Sequence, residues 1–358
     1  MRFVRFLPAR AGHLLLFGVL LPQACVPSFD DDVSLIREPQ VLAVQAEPAE
    51  AAPGEAVQLT ALVATPDAHA AAPALSWGLC IARKPLTELG PVNPVCVQPA
   101  ERAPESIVDL GAGASVSATI PRDPVDACRL FGPSPPEAMN GQPAGRPVDP
   151  DPTGGFYQPV GVTLAGSTTL GALRVACLPS GLDLELSGQF KQKYRRNQNP
   201  VLSQLSLNST GEEQPITGDA DSLSVAAGTV VRLRGAWDAC PTSPECGDGI
   251  CGPQEDSATC ADDCTAPKGC TGAETYAWFN SDSRQVETKR ESLRVSWYAT
   301  RGRFEHSTTG RDESELDTHT ENAWTAPSEP GDVRFWLVTR DARGGQSFRS
   351  FVVSVAPR

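Results

Sequence analysis

No segment of the 358-residue chain approaches the ~20 consecutive apolar residues that carry a helix across a membrane. The apolar run at residues 11–21, AGHLLLFGVLL, is too short to be a retained transmembrane helix. Histidine is scarce: there are four, and only His69, His306 and His319 follow residue 24. The polar segment HSTTGRDESELDTH, which His306 and His319 bound, fits neither HExxH nor another compact metal pattern. There is no GxSxG nucleophile elbow and no P-loop. These absences remove the usual signatures of zinc peptidases, serine hydrolases and nucleotide hydrolases. No stretch keeps a clean 3.6-residue period over three turns, which argues against a helical bundle. Basic charge is also short, with 30 Lys and Arg against 43 Asp and Glu and a formal net charge of −13. That balance excludes nucleic acid and direct adhesion to an anionic membrane surface.

The N-terminus has a recognisable form. Arg2, Arg5 and Arg10 precede the apolar run, no acid interrupts them, and PQAC follows. A basic region, a short apolar core and a small residue before a cleavage point make residues 1–24 a secretory signal peptide. LLPQAC resembles the bacterial lipobox; Ala24 fits that pattern, while Pro22 and Gln23 depart from it. The resemblance implies that Cys25 is acylated and binds membrane lipid, with residues 25–37 as a lipidated tether. Ordinary cleavage, with Cys25 free or disulfide-bonded, is the alternative. The chain has 11 cysteines, an odd number. Setting Cys25 aside leaves Cys80, Cys96, Cys128, Cys177, Cys240, Cys246, Cys251, Cys260, Cys264 and Cys270. In an oxidising compartment these can form five disulfides, whose pairing spacing alone does not give.

Alternation of apolar and polar residues marks the remainder as β structure. VLAVQA at 41–46, VQLTALVA at 57–64, ALSWGLCI at 74–81, ASVSATI at 114–120, VGVTLA at 160–165 and LGALRVAC at 170–177 read as strands. LDLELSGQF at 182–190 continues the series, with a helix over 183–198 as its alternative. Trp77 is the expected core residue of this first unit. The 31 glycines and 33 prolines supply many turns, and residues 131–155 form a long Pro/Gly/Asp loop. A second unit begins after YRRNQNP, with strands at 201–207, within 221–240, at 293–300 and around 333–339 and 348–355. The segment QAEPAEAAPGEAVQLTALVA has a counterpart in DADSLSVAAGTVVRLRGAW. Two domains are therefore expected, at 38–198 and 199–358.

The start LLPQAC, the units of the form AxPxxAAPGExVxLTALVA and the closing WTAP…PGDVRFWLVTRDARGG resemble the extracellular lipoproteins of myxobacteria and related bacteria. The resemblance implies an all-β fold of two immunoglobulin-like β-sandwich domains, the second akin to PKD modules. It also implies residence in the cell envelope, at the outer membrane or cell surface. CGDGIC-x₃-E-x₄-C-x₃-C, within the cysteine-rich insert at 240–270, resembles a small module of secreted bacterial proteins, with Gln254 where glycine is usual.

Three readings stand for the insert. It has almost nothing apolar to bury, so a disulfide-stapled knob projecting from the second domain is preferred, closed by Cys240 and Cys270. Asp248, Glu255, Asp262 and Asp263 offer oxygen ligands for calcium, outside the EF-hand spacing. Zinc on the thiolates is the third reading. Of the tryptophans, Trp77, Trp237, Trp297 and Trp336 read as core, and Trp278 and Trp324 lie near turns. The whole points to a non-catalytic envelope lipoprotein without a cofactor, structural or binding an envelope protein or glycan. An accessory of extracellular carbohydrate or protein degradation is the alternative.

Overall fold

Among the described residues, eight strands of the computed structural model precede residue 182. They are β1 (Gln40–Glu47), β2 (Glu50–Ala51), β3 (Ala56–Ala64), β4 (Leu75–Cys80), β5 (Ile107–Ala112), β6 (Ser115–Thr119), β7 (Gly155–Leu164) and β8 (Ser167–Ala176). The structure describes residues 33–82, 92–122, 127–130, 151–179, 182–209, 211–218, 223–241, 245–247, 249–252, 254–265 and 269–358. The expected signal peptide, Cys25, Asp248 and residues 131–150 of the long loop lie outside the described residues. The strands form two sheets, ordered β1-β3-β6 and β2-β8-β7-β4-β5. The period of two in β3 turns Val57, Leu59 and Ala61 inward. They meet Trp77, Val160, Val162 and Leu173 of the other sheet in one core. Trp77 is 1% exposed, and its indole donates to the Gly113 carbonyl at 2.8 Å. Disulfides Cys80–Cys96 and Cys128–Cys177 fasten the margins, the latter tying α1 (Ala127–Leu130) to the end of β8.

Residues 184–193 are helix α2 (Leu184–Lys193), not the strand that alternation over 182–190 predicts. Asp183 caps it, accepting from the Leu186 N–H at 2.9 Å. Glu185 lies in its first turn, with Lys191 and Lys193 in its last, each placed to suit the helix dipole.

Among the described residues twelve strands follow: β9 (Gln204–Asn208), β10 (Glu213–Pro215), β11 (Leu223–Ala226), β12 (Val230–Ala236), β13 (Thr275–Asn280), β14 (Gln285–Arg290), β15 (Leu293–Ala299), β16 (Arg303–Phe304), β17 (Thr308–Arg311), β18 (His319–Thr325), β19 (Gly331–Arg340) and β20 (Gln346–Ala356). Two five-stranded sheets, β10-β9-β12-β18-β16 and β11-β20-β19-β15-β17, enclose a second core. Its centre is aromatic: Phe335 stacks on Phe351 and meets Trp324 edge-on, both at 4.8 Å between ring centroids. The β19–β20 turn is built by Asp341, whose carboxylate accepts the N–H groups of Arg343 and Gly345 at 2.8 Å each. Gly344 supplies the positive φ of 92° that this turn needs. Hairpin β13–β14 stands apart as a two-stranded sheet, and Phe279 and Val286 pack against Phe190 of α2.

The fold is thus all-β, with parallel pairs at β2–β8 and β11–β20 inside otherwise antiparallel sheets. The two sheet pairs abut through Ala43, Leu62, Ala64, Trp336 and Val338. Part of the expected tether is docked as well. Ser34 and Ile36 exchange backbone hydrogen bonds with Ala299, and Ile36 is buried.

Candidate functional site

Charged residues fill the seam where the two halves meet, behind α2 and the segment that follows it. Arg174 of β8 is 1% exposed and lies 3.1 Å from Glu50 of β2 and 3.2 Å from Asp151. Glu50 also accepts from the Asn197 N–H at 2.8 Å and from the Tyr194 hydroxyl. Asn197 in turn donates to Asp341 at 3.0 Å. Arg343, from the β19–β20 turn, is 1% exposed and binds Glu291 at 2.8 Å, the Arg195 carbonyl at 2.6 Å, and Glu274.

Burial pushes the Asp341 carboxyl up to about 6 and Glu291 well above the usual carboxylate range. Burial, then the nearby Arg174, brings Arg343 down to about 9. Arg174 moves upward: burial opposes its charge, but Glu50, Tyr157 and Asp151 outweigh it. Removing one partner from such a set leaves an uncompensated buried charge, so the network fixes how the halves and the intervening segment sit together.

The cysteine-rich insert leaves the end of β12 and returns at β13. Cys240–Cys270 closes it, Cys246–Cys260 and Cys251–Cys264 cross-link its interior, and α3 (Ala261–Cys264) is its short helix. All ten cysteines after Cys25 are paired, and no bridge joins the insert to the first half. The insert is also seated. Arg195, just after α2, donates to the carbonyls of Cys251 at 2.9 Å, Gly252 at 3.0 Å, and Glu255. The composition that predicts a projecting knob gives no hint of this anchor, because the guanidinium binds backbone carbonyls that any sequence would offer.

Two of the expected calcium ligands serve the insert's own loops. Glu255 accepts the Gly252 N–H at 2.7 Å, and Asp263 accepts those of Gly247 and Gly249 at 2.5 and 3.0 Å. Asp262 is exposed. Metal-ligating atoms do come together in two clusters, Cys246–Cys260–Asp263 and Cys251–Glu255–Cys264, each within 4.8 Å. Their sulfurs are disulfide sulfurs, and calcium takes about six to eight oxygens, so neither cluster is specific for it.

Between the insert and the second sandwich lies a cavity of about 290 Å³. Ile250, Ala273 and Leu316 give it an apolar wall. Three buried side chains lining it each carry a polar atom without a hydrogen-bond partner: Trp237 Nε1, Glu274 Oε2 and Arg311 Nε. The other bonds of Arg311 are long, 3.4 and 3.5 Å to the carbonyls of Glu291 and Asp317. Burial, then the neighbouring Arg290, lowers its pKa. Eight such atoms occur among the described residues, and the three that line this one cavity make it the candidate site.

The other tryptophans are packed within the fold, although Trp278 Nε1 is also buried without a hydrogen-bond partner. Trp297, Trp324 and Trp336 are buried, and Trp278 lies under the Lys289 ammonium, 3.4 Å from its ring centroid. His69 contacts Asp332 at 2.9 Å on the surface, His306 lies beside Glu305 at 3.9 Å, and His319 begins β18. None of the three joins a metal-ligating cluster among the described residues.

No protein-family model matches the chain, and no curated protein does either. Among solved structures, similarity is found to a nucleoside hydrolase-related protein from Saccharophagus degradans associated with carbohydrate metabolism, at 14% identity and a TM-score of 0.19, over 46% of this chain and 26% of that one. It is also found to Escherichia coli alpha-2-macroglobulin, at 10% identity and a TM-score of 0.18, over 90% and 22%. For latent PorU from Porphyromonas gingivalis the values are 11% and 0.16, over 89% and 34%. The chain thus spans 22–34% of the length of these proteins, and likeness at such scores carries no inference about activity.

Proposed function

We propose that this is a non-catalytic binding protein of the cell envelope, held to membrane lipid through an acylated Cys25, with the cavity beside the insert as its binding element. The cavity carries the reading. A recess with an apolar wall and buried polar atoms lacking protein partners suits a ligand that completes them. Export is supported by the signal-like N-terminus and by five disulfides, which persist in oxidising compartments. In this reading each sandwich is an immunoglobulin-like module, divided near residue 198, and the β19–β20 hairpin is the PKD-type closing element. Calcium, if part of the insert, is held through Glu255, Asp262 and Asp263; a rise in Tm on adding calcium supports it, and an unchanged Tm removes it.

A role as an accessory of extracellular carbohydrate or protein degradation is favoured by the same cavity. Its size suits a released fragment better than an intact polymer. Binding of the purified protein to a panel of glycan and peptide fragments, with the fragments recovered and analysed, tests both. Saturable binding with ligands returned unchanged is expected; turnover of any fragment contradicts the non-catalytic reading. Replacing Cys25 by Ser is expected to move the protein from membranes to the soluble fraction, and an N-terminal peptide without acyl mass would reject the anchor.

A further inference from the structure

The geometry points to the cavity beside the insert as a site for a small organic carboxylate that carries an N–H or O–H donor and an apolar tail. This rests on reading that cavity as the binding element. Arg311 is 6% exposed; Glu315 and Asp317 are its neighbouring acids, and among the described residues neither forms an ion pair with it. Its Nε is buried without a partner, and Nη1 and Nη2 each make one long bond to a carbonyl, so the guanidinium is under-bonded beside the cavity and a planar anion would supply stronger partners. Trp237 Nε1 adds a neutral donor on the same lining. Arg290, half-buried on that lining, donates to the Glu315 carbonyl at 3.5 Å and adds positive charge.

Glu274 sets the second requirement. One of its oxygens binds Arg343, which offsets its charge, and the other is left as an acceptor without a donor. An anion without a hydrogen-bond donor would not satisfy it. A carboxylate bearing an amide N–H or a hydroxyl would. Ile250 and Leu316 supply the apolar surface for a tail, and Leu316 stands at the rim, 71% exposed. N-acylated amino acids and the C-terminal residue of a short peptide share this chemistry.

Calorimetric titration of the full mature chain with N-acetyl-phenylalanine, N-acetyl-phenylalanine amide and the free-acid tripeptide Ala-Ala-Phe tests the assignment. The acids are expected to bind saturably and the amide about tenfold or more weakly, since the amide loses the charge-assisted bonds. A tighter N-acetyl acid assigns the free amino acid as the source, and a tighter tripeptide assigns a peptide end; either supports the shared chemistry. Arg311→Met is expected to remove the difference between acid and amide. Leu316→Glu changes an exposed side chain and is expected to fold normally and weaken the acids about tenfold by placing like charge at the rim. Acid and amide binding equally would overturn the carboxylate assignment while leaving the binding reading in place. An unchanged affinity of Leu316→Glu would place any binding elsewhere. Absence of binding by all three would overturn the assignment, and hydrolysis of the tripeptide would instead overturn the non-catalytic reading.

Discussion

The second sandwich and the insert it carries are stabilised by opposite means. In the sandwich, Trp297, Trp324, Phe335 and Phe351 are wholly buried, and order follows from apolar contact. In the insert, buried positions are taken by Cys251, Cys260, Cys264 and Cys270, by carboxylates that cap loops, and by the guanidinium of Arg195 that enters from outside. Ordering about 30 residues costs tens of kcal/mol in backbone entropy, which so few apolar side chains cannot offset. Crosslinks and an external anchor take the place of a core, and the candidate site forms where the two kinds of structure meet.

The contrast can be broken first from the sandwich side. Phe335→Ala is expected to cost about 3–5 kcal/mol in denaturant unfolding, because it empties the centre of the aromatic cluster. Next comes the insert. Cys240→Ser with Cys270→Ser opens its closing bridge and is expected to cost about 2–4 kcal/mol. Hydrogen exchange should quicken over residues 245–265 and stay slow over β19 and β20. Equal quickening in both regions would mean that the insert is part of the sandwich's own folding unit.

Arg195→Met is smaller still. It leaves the carbonyls of Cys251, Gly252 and Glu255 without their donor, for about 1–3 kcal/mol. Loss of exchange protection confined to the insert and residues 192–201 would identify Arg195 as the seat.

Acid pH sharpens the comparison from the seam. The Asp341 carboxyl titrates at about 6 in the folded protein against a reference of 3.8. Between those values the folded state holds a proton that the unfolded chain has released, so this group's contribution to stability falls as pH rises from about 4 to about 6. Asp341→Asn keeps the shape and removes the titration. Its Tm is expected to vary less than wild type between pH 4 and pH 7, with the remaining slope in the same direction from Glu291, also raised by burial. An unaltered slope would place the titrating group elsewhere.

What could be read from the chain follows the range of the interaction. Period-two alternation located β3 and β15 to within a residue or two, and Trp77 could be recognised as core from its place in a strand. Cys240 and Cys270 bound one polar segment, which made their bridge one of several pairings open to the sequence, and the structure forms it. Helix α2 stood only as the alternative to a strand, because Phe190 is its one buried residue and leaves no apolar stripe to detect. The buried arginines were hidden for another reason. Arg174 in LGALRVAC and Arg343 in DARGG look like solvated charge, and only the fold brings Glu50 to the first and Glu274 and Glu291 to the second. The cavity was the least legible feature, since Trp237, Glu274 and Arg311 come from three distant parts of the sequence.

The central claim, that this cavity receives an organic carboxylate, meets its most direct test in the indole N–H resonance of Trp237, assigned by its loss in Trp237→Phe. Titrating the ¹⁵N-labelled protein with N-acetyl-phenylalanine should move that resonance saturably and leave those of the core residues Trp77, Trp297 and Trp324 in place, and the amide should move it far less. A Trp237 resonance that stays fixed while the acid binds would contradict the account.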